Sequence, residues 1–194
     1  VRITQLVLIS TLLMVIVALQ YFFRPAAFNW ITGIILIVPL GSSLFLPRAI
    51  AFKAYWRIGF STLLVSFVVN LYLNLAFYPS LLHYQSGSEA AMWINKNNSR
   101  DLPVTQSVDN PFAMEFYLDK PLININTDGT GLLPPKPFLL LAQPEVINGL
   151  KTKGWHMHPV KTFQRYWISR LKLTFLNKSK RSRELTYSEL VIVR

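Results

Sequence analysis

Residues 74–93 read NLAFYPSLLHYQSGSEAAMW. Up to Leu82 the stretch suits hydrocarbon; from His83 onward it suits water. A chain that changes solvent in so short a space ends one kind of domain and begins another, and the composition on either side agrees. From Val1 to Ser80 there are five Lys/Arg and no Asp or Glu, whereas the rest of the chain holds the other fifteen Lys/Arg and all nine acids. Only 15% of the 194 residues are charged, against about a quarter in an ordinary soluble domain. There is no cysteine, which excludes a disulfide framework and Cys-based zinc or redox chemistry.

Before the switch lie three charge-free runs: Ile3–Phe23, Pro25–Pro47 and Ile58–Leu82, of 21, 23 and 25 residues. About 20 apolar residues cross a ~30 Å hydrocarbon core as a helix, so the spacing predicts three transmembrane helices, at about 3–23, 28–47 and 58–80, within a membrane domain 1–82. The first run is too long for a signal-peptide core and lacks a small-x-small cleavage site. Pro39 and Gly41 predict an interruption in the second helix. The loop RAIAFKAYWR (48–57) carries Arg48, Lys53 and Arg57, and RPAAFNW (24–30) carries Arg24 alone. The positive-inside bias therefore puts 48–57 in the cytoplasm and everything after Leu82 outside it. Thr62, Ser66, Asn70, Asn74 and Tyr78 fall four apart on the third helix, a polar stripe that is costly against lipid. It is expected to face other helices or a wet cavity. The chain also opens at Val1 already inside a span, as the C-terminal part of a longer polytopic protein would.

After the switch, residues 83–194 read as a small α/β extracytoplasmic domain. Ser86 and Glu89 have capping-box spacing, and Ala90, Trp93 and Ile94 give the inner face of the helix that follows. LPVTQSV reads as a strand. Asn110-Pro111 then opens a helix, PFAMEFYL, with Phe112, Phe116 and Tyr117 expected against a sheet. PLININ is a strand, TDGTG a turn, PFLLLA a buried strand, and PEVINGLKTKG a helix closed by Gly154. WHMHPVKTF is a strand, WISRLKLTFL fits either type, NKSKRSR reads as a solvated basic loop, and SELVIVR closes as a strand. Strands spaced by helices predict a layered α/β domain.

The charge-free spans, the solvent switch and the segment EFYLDKPLI (115–123) together resemble the C-terminal region of bacterial membrane glycosyltransferases, the group of dolichyl-phosphate-mannose–protein mannosyltransferases and lipid A aminoarabinose transferases. Members with a soluble tail carry FYL-x-[RK]-P-[LV], matched here by Phe116 to Leu122. The resemblance implies an inner-membrane protein that moves a sugar from a polyprenyl-phosphate carrier to a lipid, glycan or protein acceptor outside the cytoplasm, with no cofactor. In that group the catalytic acids sit in a first extracytoplasmic loop to which nothing here corresponds, so no catalytic residue is assigned. The alternative is a non-enzymatic module in which three helices anchor an external binding domain.

Tyr78, Tyr84 and Gln85 are the candidate substrate contacts. They stand near the expected membrane surface, where hydroxyls and an amide can meet a sugar or phosphate; anchoring by amphipathic rings is the competing role. His156 and His158 have a spacing metals use, but no third ligand stands nearby and no metal is expected. Asp128-Gly129-Thr130-Gly131 lacks the remaining residues of a phosphate loop. Lys178, Lys180, Arg181 and Arg183 are read as solvated, or as contacts for anionic headgroups; outside the cytoplasm no nucleic-acid partner is expected. The expected partners are the bilayer, the carrier and acceptor, and further transmembrane helices. The topology has a direct check: in intact cells, cysteine placed at position 120 should be labelled by a membrane-impermeant reagent and cysteine at position 53 should not.

Overall fold

Apolar runs punctuated by charge become helices here, and the places where a backbone donor is missing decide their irregularities. The computed structural model describes residues 2–49, 54–107, 112–130 and 133–194. Lys53, the Asn110-Pro111 helix start and Gly131 lie outside the described residues. Contacts divide the chain into two units: Val1–Leu81 with Lys172–Ser182, and Leu82–Leu171 with Arg183–Arg194.

The first unit is helical. It contains α1 (Arg2–Phe22), α2 (Trp30–Ala49) and α3 (Ala54–Tyr72). The helical run of α2 continues through Pro39 and Gly41, and the irregularity falls in the third helix instead. There α3 passes into a π-turn at Leu73–Phe77 and then into α4 (Tyr78–Leu82). Pro79 has no N–H and its ring crowds the preceding turn; the turn widens, and the Tyr78 amide donates to the Leu73 carbonyl, as in other π-bulges. The continuous stretch Ile58–Leu82 is, among the described residues, the one helix long and apolar enough to cross a membrane.

Val65, Val68, Tyr72 and Ala76 form the buried face of that helix, and the Tyr72 hydroxyl lies 3.3 Å from Gln20 Oε1 on α1. The polar stripe faces elsewhere. Ser66, Asn70, Asn74 and Tyr78 are exposed and Thr62 is half-buried. Asn70 and Asn74 donate back to their own helix, to the Ser66 and Asn70 carbonyls at 3.0 and 2.8 Å. Apolar side chains also lie on the outside of the helices, with Met14, Val17, Ile37 and Leu63 all exposed. At the end of α1, Arg24 sits at φ +50°, a left-handed conformation that costs an arginine about 1–2 kcal/mol. The Ala27 amide donates to Ser80 Oγ at 3.0 Å, so the loop after α1 and the end of α4 meet at one end of the unit.

The second unit is a three-layer α/β domain. In chain order it contains α5 (Ser86–Asn97), β1 (Val104–Ser107), α6 (Phe112–Tyr117), β2 (Leu122–Asn124), β3 (Phe138–Ala142), α7 (Pro144–Thr152), β4 (Met157–Arg165) and β5 (Thr186–Val193). The five strands form one sheet in the order β2-β1-β3-β5-β4. β1 runs parallel to β2 and β3, while β5 is antiparallel to both β3 and β4. Every residue of β3 is buried because both sheet faces are covered, which is why FLLLA is apolar without alternation. On one face Ala90, Ile94, Met114 and Leu118 pack over Val104, Leu139, Leu141 and Leu190; on the other, Ile147 and Leu150 pack over Leu140, Ala142 and Val191. α7 starts at Pro144 and ends with Gly154 at φ +87°. The bonds Gly154 N to Lys151 O and Trp155 N to Leu150 O complete a Schellman end.

Two readings are corrected. Phe112, Phe116 and Tyr117 do not face the sheet: they are 75%, 81% and 40% exposed. Met114 and Leu118 form a second i, i+4 pair, displaced from Phe112/Phe116 by about 200° around the helix, so only one pair can point inward. The basic loop is not wholly solvated either. Between β4 and β5 the ambiguous WISRLKLTFL resolves into a 3₁₀ turn at Ile168–Arg170 and a short helix, α8 (Leu173–Leu176). The segment Lys172–Ser182 then joins the helical unit. There Arg181 is buried, donating from Nη2 to the Phe23 carbonyl at 2.7 Å and from Nε to the Phe175 carbonyl at 3.0 Å. Its guanidinium also lies 4.3 Å from the Phe23 ring centroid. Lys178 and Lys180 remain exposed.

Gly129 and Gly149 separate two kinds of glycine. Gly129 has φ +82°, and a Cβ there would come within 2.5 Å of Leu150 Cδ2; Gly149 lies in α7 with nothing near an added Cβ. Gly129→Ala should destabilise the fold by at least about 1–2 kcal/mol. Gly149→Ala should stabilise it by about 0.5–1 kcal/mol. Denaturant titration of both variants checks the pair.

Candidate functional site

Parallel strands deliver their loops to one edge of a sheet, and that edge is where α/β folds place ligands. Here β1, β2, β3 and β4 all end at the same edge, since β4 and β3 each run opposite to β5. The strand order turns between β1 and β3, with β2 placed on the far side of β1. At the carboxyl end of β1, Gln106 Oε1 and Ser107 Oγ are buried without a hydrogen-bond partner. The other Gln106 amide atom, Nε2, donates to Asn124 Oδ1 at 2.8 Å.

Along the same edge a cleft of about 350 Å³ is lined by Leu82, Gln85–Gly87, Ala113 and Arg165–Ser169. Its floor is the start of α5. The capping box expected there does not form, because the helix begins one residue earlier than that motif needs. Gln85 is the N-cap and makes no side-chain cap bond. Ser86, already inside the helix, places its hydroxyl 3.1 Å from Ser188 Oγ on β5. Glu89 meets His83 Nδ1 at 2.8 Å instead of reaching back to the cap. First-turn amides have no intrahelical acceptor, and they carry the positive end of the helix dipole. Gly87 allows α6 to come close: a Cβ there would lie 3.2 Å from the Met114 amide nitrogen.

The far wall is the stretch after β4. The Tyr166 amide donates to the Tyr84 carbonyl at 2.8 Å, and the Tyr166 hydroxyl donates to the Arg170 carbonyl at 2.7 Å. These bonds hold the turn that presents Trp167, which is exposed and has the Arg170 guanidinium 5.0 Å from its ring centroid. The cleft thus combines an amide (Gln85), a guanidinium (Arg165), a hydroxyl (Ser169), helix-start amides and an indole. No Asp or Glu lines it, so it offers hydrogen bonds and a stacking surface with no carboxylate for acid–base work.

Of the sequence-predicted contacts, Gln85 lies in the cleft. Tyr84 is half-buried, contributes its backbone carbonyl, and is not a lining residue. Tyr78 belongs to the helical unit, exposed, its ring 5.7 Å from that of Phe77. Arg165 and Trp167 were not anticipated; their signal is the run QRYW at 164–167, a cation and two aromatics directly after a strand. His156 and His158 are exposed, and among the described residues no cluster of three potential metal ligands forms. The Asp128 turn is closed by its own side chain, which accepts from the Thr130 amide and hydroxyl at 2.9 and 2.7 Å. Those bonds hold the carboxyl below its ordinary range.

The geometry defines a small α/β domain with a cleft that carries a few polar groups beside an indole wall. No family model, curated protein or solved structure matches the chain. The cleft wall gives a prediction of its own. Tyr166→Phe removes the bond to Arg170 and should cost about 1 kcal/mol, while loosening the turn enough to raise the mobility of the Trp167 ring, read by fluorescence anisotropy.

Proposed function

We propose that the chain is the C-terminal part of an integral-membrane glycosyltransferase that moves a sugar from a polyprenyl-phosphate carrier to an envelope acceptor outside the cytoplasm. In this reading the α/β domain contacts the sugar-bearing partner and the catalytic acids are supplied elsewhere. The observation that carries it is the cleft. Its first lining residue, Leu82, is also the last residue of the 25-residue apolar helix, and its chemistry suits a pyranose, with an indole face for stacking and an amide and guanidinium for hydroxyls.

The helical unit supports the membrane part of the reading. Its third helix is mostly unburied within the chain although apolar, which a core helix of a soluble protein is not. In its polar stripe Asn70 and Asn74 are exposed and donate to carbonyls of their own helix, a state that favours further helices or a wet cavity as neighbours. A second reading, an anchored binding module without catalysis, draws on the absence of any carboxylate in the cleft.

Transfer assays of the full-length protein separate the two. Gln85→Ala and Trp167→Ala should each lower transfer about tenfold, the worth of one lost hydrogen bond or stacking contact of about 1.4 kcal/mol, with expression and membrane insertion intact. Tyr84→Trp should lower it less, since that side chain does not line the cleft. The 194-residue chain alone should show no transfer. Unchanged transfer in both cleft variants would remove the cleft from the reaction, and detection of a carrier-dependent product from the isolated chain would refute the division of labour.

A further inference from the structure

The net positive charge of this protein is concentrated in the helical unit. Residues 1–81 and 172–182 hold nine Lys/Arg and no Asp or Glu, whereas the α/β unit holds eleven and nine. Cations inside the helical unit therefore have no carboxylate of their own to pair with, and such a charge repels itself unless anions from outside neutralise it.

The geometry gives two of those cations a defined setting. A cleft of about 480 Å³ is lined by Tyr21, Phe22 and Arg24 from the end of α1 and by Asn177, Lys178 and Ser179 from the 172–182 segment. The two walls are bonded together, the Lys178 amide donating to the Phe22 carbonyl at 2.9 Å. Tyr21 and Arg24 also line a second groove of about 650 Å³ that runs between α1 and α2. That groove is walled by Ile16, Val17, Leu36 and Ile37. Arg24 thus stands where an apolar groove meets a cationic cleft. It does so in a left-handed backbone conformation that a glycine would adopt without strain, and strain of this kind is retained chiefly where a side chain has a task.

We propose that this junction binds an anionic phospholipid, with an acyl chain along the α1–α2 groove and the phosphate between Arg24 and Lys178. A phosphodiester has the charge the cleft lacks, and Tyr21 lines the cleft with a hydroxyl for one of its remaining oxygens. Both recesses are open along their length, so a two-chain lipid enters from the side with its second chain outside the groove. The site rests on the membrane reading of the helical unit and is independent of the transferase reading.

The test uses the full chain in neutral detergent, titrated with phosphatidylglycerol and, separately, phosphatidylcholine, with retained lipid counted by native mass spectrometry. Phosphatidylglycerol should be retained preferentially, and the preference should weaken with salt. Arg24→Gly and Lys178→Gln should each weaken it about fivefold, the usual worth of one cation near an anionic surface, and together roughly twentyfold. Arg24→Gly relieves backbone strain, so its loss of lipid cannot be assigned to unfolding. Lys180→Gln, on the same segment but outside the cleft, should change little. Equal retention of phosphatidylcholine, undiminished binding in the double variant, or displacement by inorganic phosphate at the same concentration overturns the proposal. Preferential displacement by polyprenyl phosphate overturns it in favour of a carrier site. Flotation of the wild-type chain with phosphatidylcholine vesicles reads the membrane interpretation by itself: a chain that floats yet shows no phosphatidylglycerol preference fails only this proposal, and one that does not float fails both.

Discussion

Arg181 is a buried guanidinium with no carboxylate in its unit. Removing such a charge from water costs several kcal/mol unless its donors and its charge are both answered. Among the groups that answer them are the Phe23 and Phe175 carbonyls and the faces of the Phe23 and Phe175 rings. The carbonyl ends of a helix are the natural acceptors, because the last turn leaves them without intrahelical donors. A single side chain thereby decides how α1 stops and where the 172–182 segment settles. It also decides that Phe175, Phe23 and Phe77 share one apolar cluster. Remove the guanidinium and the carbonyls lose their donors along with the rings' cation.

In the α/β domain the governing constraint is strand direction. Four of five strands end at one edge, so the segments that follow them leave from there. The cleft is built from what such an edge supplies, a helix start, a post-strand turn and the N-cap residue, and no carboxylate is among its lining residues.

Much of this was legible in the sequence, where the signal is local. FLLLA is a run that only a doubly covered strand tolerates, and Pro144 and Gly154 bracket α7 through φ restriction at one end and φ freedom at the other. The polar stripe of the third helix was visible from spacing, though not that it would face away from its own unit. Other features resisted for definite reasons. The periodicity of α6 contains two equivalent apolar pairs, and nothing local says which meets the sheet. The Ser86–Glu89 spacing is right for a cap, yet the Ser188 hydroxyl, 102 residues away, competes for the serine. Arg181 finds its acceptor 158 residues back in the chain, a distance at which no sequence pattern carries information. In the cleft, Gln85 was singled out from the local change of composition at 82–86, whereas Arg165 and Trp167 join it only once β4 has been aligned on β5.

The 172–182 segment lies between two strands of one sheet and belongs to another unit. A ribosome feeds the chain out from its N-terminus, and domains ordinarily fold in that order as they emerge. Here the earliest helices must wait: the arginine that closes the end of α1 is translated 158 residues after Phe23, later than β1–β4 and before β5. The birth order of this protein therefore interleaves its two units, most of the α/β domain being translated before the helical unit receives its last segment.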